Sequence, residues 1–112
     1  MISNFKGKTA VLTGAGSGFG LECARIAANL GMNVVMVDVQ QDALDKASSE
    51  ISATAATNGG KVLSFRLDIS KVDEVEAMAN KVLQTLGAPH FVFNNAGVGA
   101  GGLIWETSAK DW

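Results

Sequence analysis

Short apolar runs alternate along the chain with longer segments in which apolar residues recur every three or four positions. That alternation predicts repeated strand–helix units, and hence a parallel sheet with helices over its faces. Lys8 to Thr13 reads as a first strand. From Gly18 to Leu30 the residues Leu21, Ala24, Ile26, Ala27 and Leu30 return near helical spacing, and Gly31 is placed to stop the helix. Asn33 to Asp38 (NVVMVD) is a continuous apolar run, suited to a central strand covered on both faces. A second helix is predicted from about Gln41 to Thr57, with Leu44, Ala47, Ile51 and Ala55 as its buried stripe and Asn58-Gly59-Gly60 as its breaker.

Lys61 to Leu67 follows as a third strand, in which Val62, Ser64 and Arg66 alternate with Leu63, Phe65 and Leu67. Such alternation predicts a more exposed place near a sheet edge. In the next helix Ser70 and Asp73 resemble a capping box, Val72, Val75, Ala79, Val82, Leu83 and Leu86 form the apolar stripe, and Gly87 closes it. Phe91 to Asn94 is a fourth strand, and the glycine-rich stretch from Gly97 to Gly102 is a loop. Ser108 with Asp111 then resembles the cap of a further helix, begun as the sequence reaches Trp112. No internal repeat, charge run or linker interrupts the pattern, so residues 1–112 read as part of one domain.

Composition narrows the partner classes. The formal charge is -2, with 9 basic and 11 acidic residues interspersed. No basic stripe is present to grip nucleic acid and no polybasic patch to hold a membrane surface. The first residues lack the apolar core of a signal peptide, and no apolar run approaches a bilayer-spanning length, so a cytoplasmic protein is expected. Cys23 is the one cysteine. It falls among Leu21, Ala24 and Ile26, where a buried structural thiol is expected, and no cysteine zinc cluster or internal disulfide can form.

Candidate chemistry concentrates in TGAGSGFG, Thr13 to Gly20, which follows the first strand and opens the first helix. Glycines at such a junction let backbone N–H groups and the positive helix end meet a phosphate without intervening side chains. The ATP/GTP loop needs a lysine after its last glycine, and none occurs between Lys8 and Lys46. The G-x-G-x-x-G fingerprint also fails, because from Gly14 the third glycine falls on Phe19 and from Gly16 on Leu21. T-G-x-x-x-G-x-G fits, with Gly14, Gly18 and Gly20. A tight turn with close helix–strand packing would need only two glycines.

Three further features suit a dinucleotide. Asp38 ends the second strand, where a carboxylate can accept hydrogen bonds from adenosine ribose hydroxyls. Asp68-Ile69 follows the third strand, and Asn94-Asn95-Ala96-Gly97 ends the fourth. A strand order of 3-2-1-4 would bring all of them to one rim, with the first two helices on one face, the third on the other, and a crevice between strands 1 and 4.

TGAGSGFG, the acid at the end of strand two, LDI and NNAG, in this order and spacing, resemble the N-terminal half of the short-chain dehydrogenase/reductase family. The resemblance covers essentially the whole chain. It implies a Rossmann-type doubly wound α/β sheet, incomplete here at about four strands, three helices and the start of a fourth. It also implies hydride transfer between NAD or NADP and a small-molecule alcohol or carbonyl substrate. By the same resemblance Gly14, Ser17, Gly18, Phe19 and Gly20 would contact the pyrophosphate and its ribose, Asp38 the adenosine ribose, and Asp68 and Ile69 the adenine. Asn95, Ala96 and Gly97 would lie along the cofactor's ribose, while Asn94 ties the central strands together.

NAD is expected over NADP. Asp38 would repel a 2′-phosphate, and Ala15, Ser17, Phe19, Val39 and Gln40 offer no cation to neutralise one. The departure from the family lies in the catalytic set, a Ser followed by Y-x-x-x-K, since the chain contains no tyrosine. Lys110 reads as a surface residue, His90 as a loop residue with no second histidine to share a metal, and Trp105 and Trp112 as apolar anchors. A non-catalytic dinucleotide-binding or interaction module is the alternative reading. Either is compatible with a homo-oligomer.

Overall fold

The computed structural model describes residues 5–94. Seven elements follow in order: β1 (Thr9–Thr13), α1 (Gly18–Asn29), β2 (Asn33–Asp38), α2 (Gln41–Asn58), β3 (Val62–Arg66), α3 (Val72–Leu86) and β4 (Phe91–Asn94). The strands form one parallel sheet in the order β3-β2-β1-β4. The segment from Gly97 to Gly102 and the cap proposed at Ser108 and Asp111 lie outside the described residues, as do Trp105, Lys110 and Trp112.

The two inner strands carry the continuous apolar runs for a physical reason: both of their faces are covered. Ala10 and Leu12 of β1 and Val34 and Met36 of β2 face α1 and α2, where Ala24, Ala27, Ala28, Leu44, Ala47, Ile51 and Ala55 are buried. Val11, Val35 and Val37 point the other way, onto Met78 and Val82 of α3. Strand β3 stands at the edge, where Ser64 and Arg66 are exposed and Leu63 and Phe65 half-buried, while Val62, grouped by its spacing with the exposed positions, is half-buried against the α1–α2 core. Arg25 of α1 pairs with Glu50 of α2 across the outer surface, raising the Arg25 pKa and lowering that of Glu50. Cys23 is half-buried at the margin of the α1–α2 core rather than enclosed in it.

Three further sequence expectations need correction. Ile26 and Leu30 of the first helical stripe are exposed, at 55% and 45%. The small residues Ala24, Ala27 and Ala28 carry the contact with the sheet, and the two larger ones flank it. With Phe5, Cys23, Phe91 and Phe93 they border an open apolar hollow of about 200 Å³ beside β4. On α3 the buried line runs through Val75, Met78, Val82 and Leu86, so Val72 and Leu83 fall beside it and are exposed. The capping box is absent: Lys71 is the N-cap, no side chain caps the helix, and the Ser70 hydroxyl donates to Asp68 instead. An ionised carboxylate close at hand is a stronger acceptor partner than a helix-end amide is a donor.

At the sheet end remote from the glycine loop, the Thr9 N–H donates to His90 Nδ1 at 3.2 Å and the His90 N–H donates to the Thr9 carbonyl at 2.8 Å. His90 thereby joins β4 to β1 at their starts. Its place is structural, as its loop position suggests.

Candidate functional site

The strand registers set the site. Thr13 stands level with Val37 on one side and Asn94 on the other, and Asp38 with Arg66, so β1, β2, β3 and β4 end along one rim. A cleft of about 430 Å³ opens there, lined by Gly14, Ser17, Gly18 and Phe19 from the loop and α1 and by Val37, Asp38, Val39, Leu67, Asp68 and Ile69. Of the residues singled out in the sequence, Gly14, Ser17, Gly18, Phe19, Asp38, Asp68 and Ile69 therefore share one wall system. Asn95, Ala96 and Gly97 lie outside the described residues.

Gly14 follows β1 directly at φ +66°, a left-handed conformation that a β-carbon disfavours. The chain can then turn sharply, and the Ala15 N–H donates to the Val37 carbonyl at 3.1 Å, extending the β1–β2 contact one step past the strand. Gly20 is buried behind the cleft wall: a β-carbon there would overlap the Gly14 carbonyl oxygen. Helix α1 can thus start close against the strand end. Ser17 is its N-cap in an extended conformation, yet no side chain caps the helix and its first turn holds no acid. The N–H groups of that turn and the positive end of the helix dipole are left for a ligand. The space over Gly18 is open, with nothing within 4 Å of where a β-carbon would stand. These are the properties of a phosphate cradle.

The two carboxylates are held differently. Asp38 Oδ2 accepts the Gly16 N–H at 2.8 Å and Oδ1 accepts the Gln40 N–H at 2.9 Å. Asp68 Oδ1 accepts both the Ser70 hydroxyl, at 2.7 Å, and the Ser70 N–H, at 2.9 Å. The hydroxyl first, and then the amide, hold the Asp68 carboxyl below the usual carboxylate range. Glu74 from the first turn of α3 accepts the Asp68 N–H at 3.1 Å, fixing the backbone on which that carboxylate stands. The parts played by Ser70 and Glu74 were missed in the sequence, although the D-x-S spacing of Asp68 and Ser70 is a turn signature. The Gly16–Asp38 contact spans 22 positions and had no local signal.

Phe19 is 62% exposed in the first turn of α1 and meets Phe93 edge to face, with ring centroids 5.6 Å apart. Arg66 stands beside Asp38 in the ladder, but its Nε–H donates to the Val39 carbonyl at 3.3 Å and it does not line the cleft. Among the described residues no group of three or more His, Cys, Asp and Glu could hold a metal, and no helix is long and apolar enough to cross a membrane.

Comparison with known proteins accords with this geometry. Residues 8–112 match the family model described as short chain dehydrogenase. Meso-2,3-butanediol dehydrogenase of Serratia marcescens is 36% identical over 108 residues, which is 96% of this chain and 41% of that protein. Cyclohexanol dehydrogenase of Acinetobacter sp. strain SE19 is 34% identical over 113 residues, covering 100% of this chain and 43% of that protein. Among solved structures, a short chain dehydrogenase/reductase of Burkholderia phymatum in complex with NAD aligns at 45% identity and a TM-score of 0.76, over 99% of this chain and 38% of the other. The L-sorbose reductase of Gluconobacter frateurii, complexed with NADPH and L-sorbose, aligns at 33% identity and 0.76, over 88% and 36%. The chain thus spans about two fifths of the length of these relatives. With its four-stranded 3-2-1-4 sheet, its glycine loop and this match, the chain belongs to the short-chain dehydrogenase/reductase family.

Proposed function

We propose that residues 1–112 are the cofactor-binding part of a single dinucleotide-binding domain, in an oxidoreductase moving a hydride between an alcohol or carbonyl substrate and NAD, with NAD preferred over NADP. The observation that carries the reading is the rim cleft, in which an uncapped helix end and two anchored carboxylates face one space. Relatives at 45% and 33% identity are complexed with NAD and NADPH respectively, so the preference has to be argued from this chain's own residues.

In this reading the first-turn N–H groups of α1 and the loop from Gly14 to Gly18 bind the pyrophosphate. Asp38 accepts the hydroxyls of the adenosine ribose, and Asp68 and Ile69 bracket the adenine. Asn95, Ala96 and Gly97 continue the site along the second ribose. When bound, the dinucleotide supplies the hydride donor or acceptor. Discrimination against a 2′-phosphate follows from the negative charge at Asp38 and from a cleft lining that, among the described residues, contains no Arg or Lys. Calorimetric titration of the chain with each nucleotide tests this, with Asp38→Ala expected to weaken NAD by about 1.5–3 kcal/mol through loss of charged hydrogen bonds. Tighter binding of NADP than of NAD would defeat the reading.

Binding is not turnover. Hydride transfer also needs a proton given or taken at the substrate oxygen, a contribution of about 10²–10⁴-fold to rate. The resemblance assigns that task to a tyrosine, and this chain has none. Asp38 and Asp68 sit at the adenosine end in this reading and cannot replace it. The chain by itself should therefore act as a dinucleotide-binding module. An assay of the chain with NAD and a panel of alcohols should show no turnover, and turnover would overturn the view that proton transfer here needs a tyrosine this chain lacks.

A further inference from the structure

Position 16 carries no part of the T-G-x-x-x-G-x-G pattern, yet its amide is one of the two that hold Asp38. We infer that Gly16 is a positioning residue for cofactor specificity: the missing side chain there lets the Asp38 carboxylate lock against the glycine loop, and that lock sets the choice between ribose hydroxyls and a 2′-phosphate. The inference rests on the proposed dinucleotide site.

Three observations carry it. A β-carbon on Gly16 would stand 2.8 Å from Asp38 Oδ2, 3.1 Å from Ala43 Cβ and 3.2 Å from the Ala43 carbonyl carbon. Ala43 belongs to the first turn of α2, whose neighbour Leu44 is buried under the sheet, so it has little freedom to retreat. The carboxylate is the part that can move, by rotation of its side chain. Second, Gly16 does not use a left-handed backbone conformation, so alanine meets no left-handed strain there and acts through its contacts with Asp38 and Ala43. Third, Asp38 is gripped on both oxygens, by Gly16 on one side and Gln40 on the other.

An ionised carboxylate offers about four lone-pair sites, of which the two amides take two. About two acceptor sites remain, as many as the 2′- and 3′-hydroxyls of one ribose can use. A carboxylate held at both oxygens also cannot swing aside for a phosphate, so its charge stays where a 2′-phosphate would have to sit. Released from Gly16, the same charged side chain could turn away toward solvent. The preference would then fall although no charge had been removed.

The test is a cycle of Gly16→Ala, Asp38→Ala and the double variant, read by NAD and NADP affinities of the 112-residue chain. Gly16→Ala should weaken NAD by about 10-fold, the loss of one or more hydrogen bonds to a charged acceptor, while NADP changes less, so that the preference ratio shrinks. Asp38→Ala should shrink it too, and in the double variant the second substitution should add nothing to the ratio. Equal weakening of both nucleotides by Gly16→Ala, or ratio effects that simply add in the double variant, would overturn the inference. A ligand-free readout stands beside these: amide hydrogen exchange at Gly16 should quicken in Asp38→Ala while that at Ala15, bonded to Val37, stays slow. Unchanged Gly16 exchange would show that no lock exists, even if the variants bind poorly. If the parent chain binds neither nucleotide, the proposed function fails and the specificity role with it, whereas quickened exchange at Gly16 would still uphold the lock itself.

Discussion

The contact between Gly20 and Gly14 makes a sharp prediction, because two effects of one methyl group oppose each other there. Gly20 lies in the first turn of α1, where alanine would raise helix propensity by about 1 kcal/mol. The same methyl would overlap the Gly14 carbonyl oxygen, stand 2.8 Å from the Gly14 carbonyl carbon and 3.2 Å from Ala15 Cα. Every one of those atoms is backbone, so no side chain can rotate to relieve the contact. Carbon atoms pack best at about 3.5–4.0 Å, so the 2.8 Å contact alone calls for about 0.7 Å of retreat. The helix start must back away from the strand end. Overpacking of this kind costs about 1–3 kcal/mol, and a clash confined to backbone belongs at the upper part of that range.

The clash therefore wins, by about 1–2 kcal/mol after the propensity gain is subtracted. For a chain of this size that is a fall in melting temperature of about 5–15 °C. Binding should suffer as well. An N–H···O contact lengthened from about 2.9 Å by most of an ångström leaves the hydrogen-bonding range, so NAD affinity should drop by about 10-fold or more. Thermal melts followed by circular dichroism, together with NAD titration, read both effects. A Gly20→Ala chain that melts at or above the parent temperature and binds NAD equally would mean that propensity had prevailed and that α1 is not seated against the Gly14 carbonyl.

Two other substitutions probe separate parts of the argument. Ile51 is fully buried between α2 and the sheet, and Ile51→Ala should cost about 2–5 kcal/mol in a denaturant unfolding curve; a loss below 1 kcal/mol would show that the α1–α2 core is not closely packed. Ser70→Ala removes the hydroxyl that is the chief cause of the lowered Asp68 pKa, so the Asp68 carboxyl should titrate at higher pH by NMR. Because its folded-state pKa lies below the unfolded value, Asp68 supports the fold above the unfolded pKa and loses that support as the pH falls through the folded one. Ser70→Ala should narrow that acid window, and an unmoved Asp68 titration would show that the hydroxyl does not hold it.

Much of the fold was legible because burial on two faces and burial on one leave different marks. The runs at β1 and β2 are continuous since helices cover both sides, whereas β3 alternates at the edge, and the order 3-2-1-4 follows from which strands are which. Helix α2 was read to within a residue because its stripe meets one flat surface. The misread positions share a different cause. Ile26, Leu30, Val72 and Leu83 recur at helical spacing, but spacing says only that residues share a broad face, not which line on it touches the sheet. Met78 is buried and went unnamed for the same reason. At the site, residue types with local motifs were found, and what holds them was not: the bond from Gly16 to Asp38 joins two strand ends far apart in sequence, and only the folded register brings them together.

The charge arrangement along the rim also limits what the cleft can hold. At one end stands the positive, uncapped start of α1; at the other stand Asp38 and Asp68, carboxylates fixed by backbone and hydroxyl donors. Among the described residues no cation lines the space between them. A small free phosphate would gain from the helix end, yet at the far end of the cleft it would meet two negative groups, with Arg66 and Lys71 near Asp68 but outside the lining. A ligand that satisfies both ends must be anionic where it meets the helix and rich in hydrogen-bond donors where it meets the acids, with enough length to separate the two. An adenosine diphosphate unit has that order of groups: phosphates first, then ribose hydroxyls, then the adenine amine. Phosphorylating its ribose would put a second anion among the acids. The selectivity proposed for Asp38 is therefore a consequence of how the whole cleft is polarised, and Gly16 matters because it keeps one of those two charges from turning away.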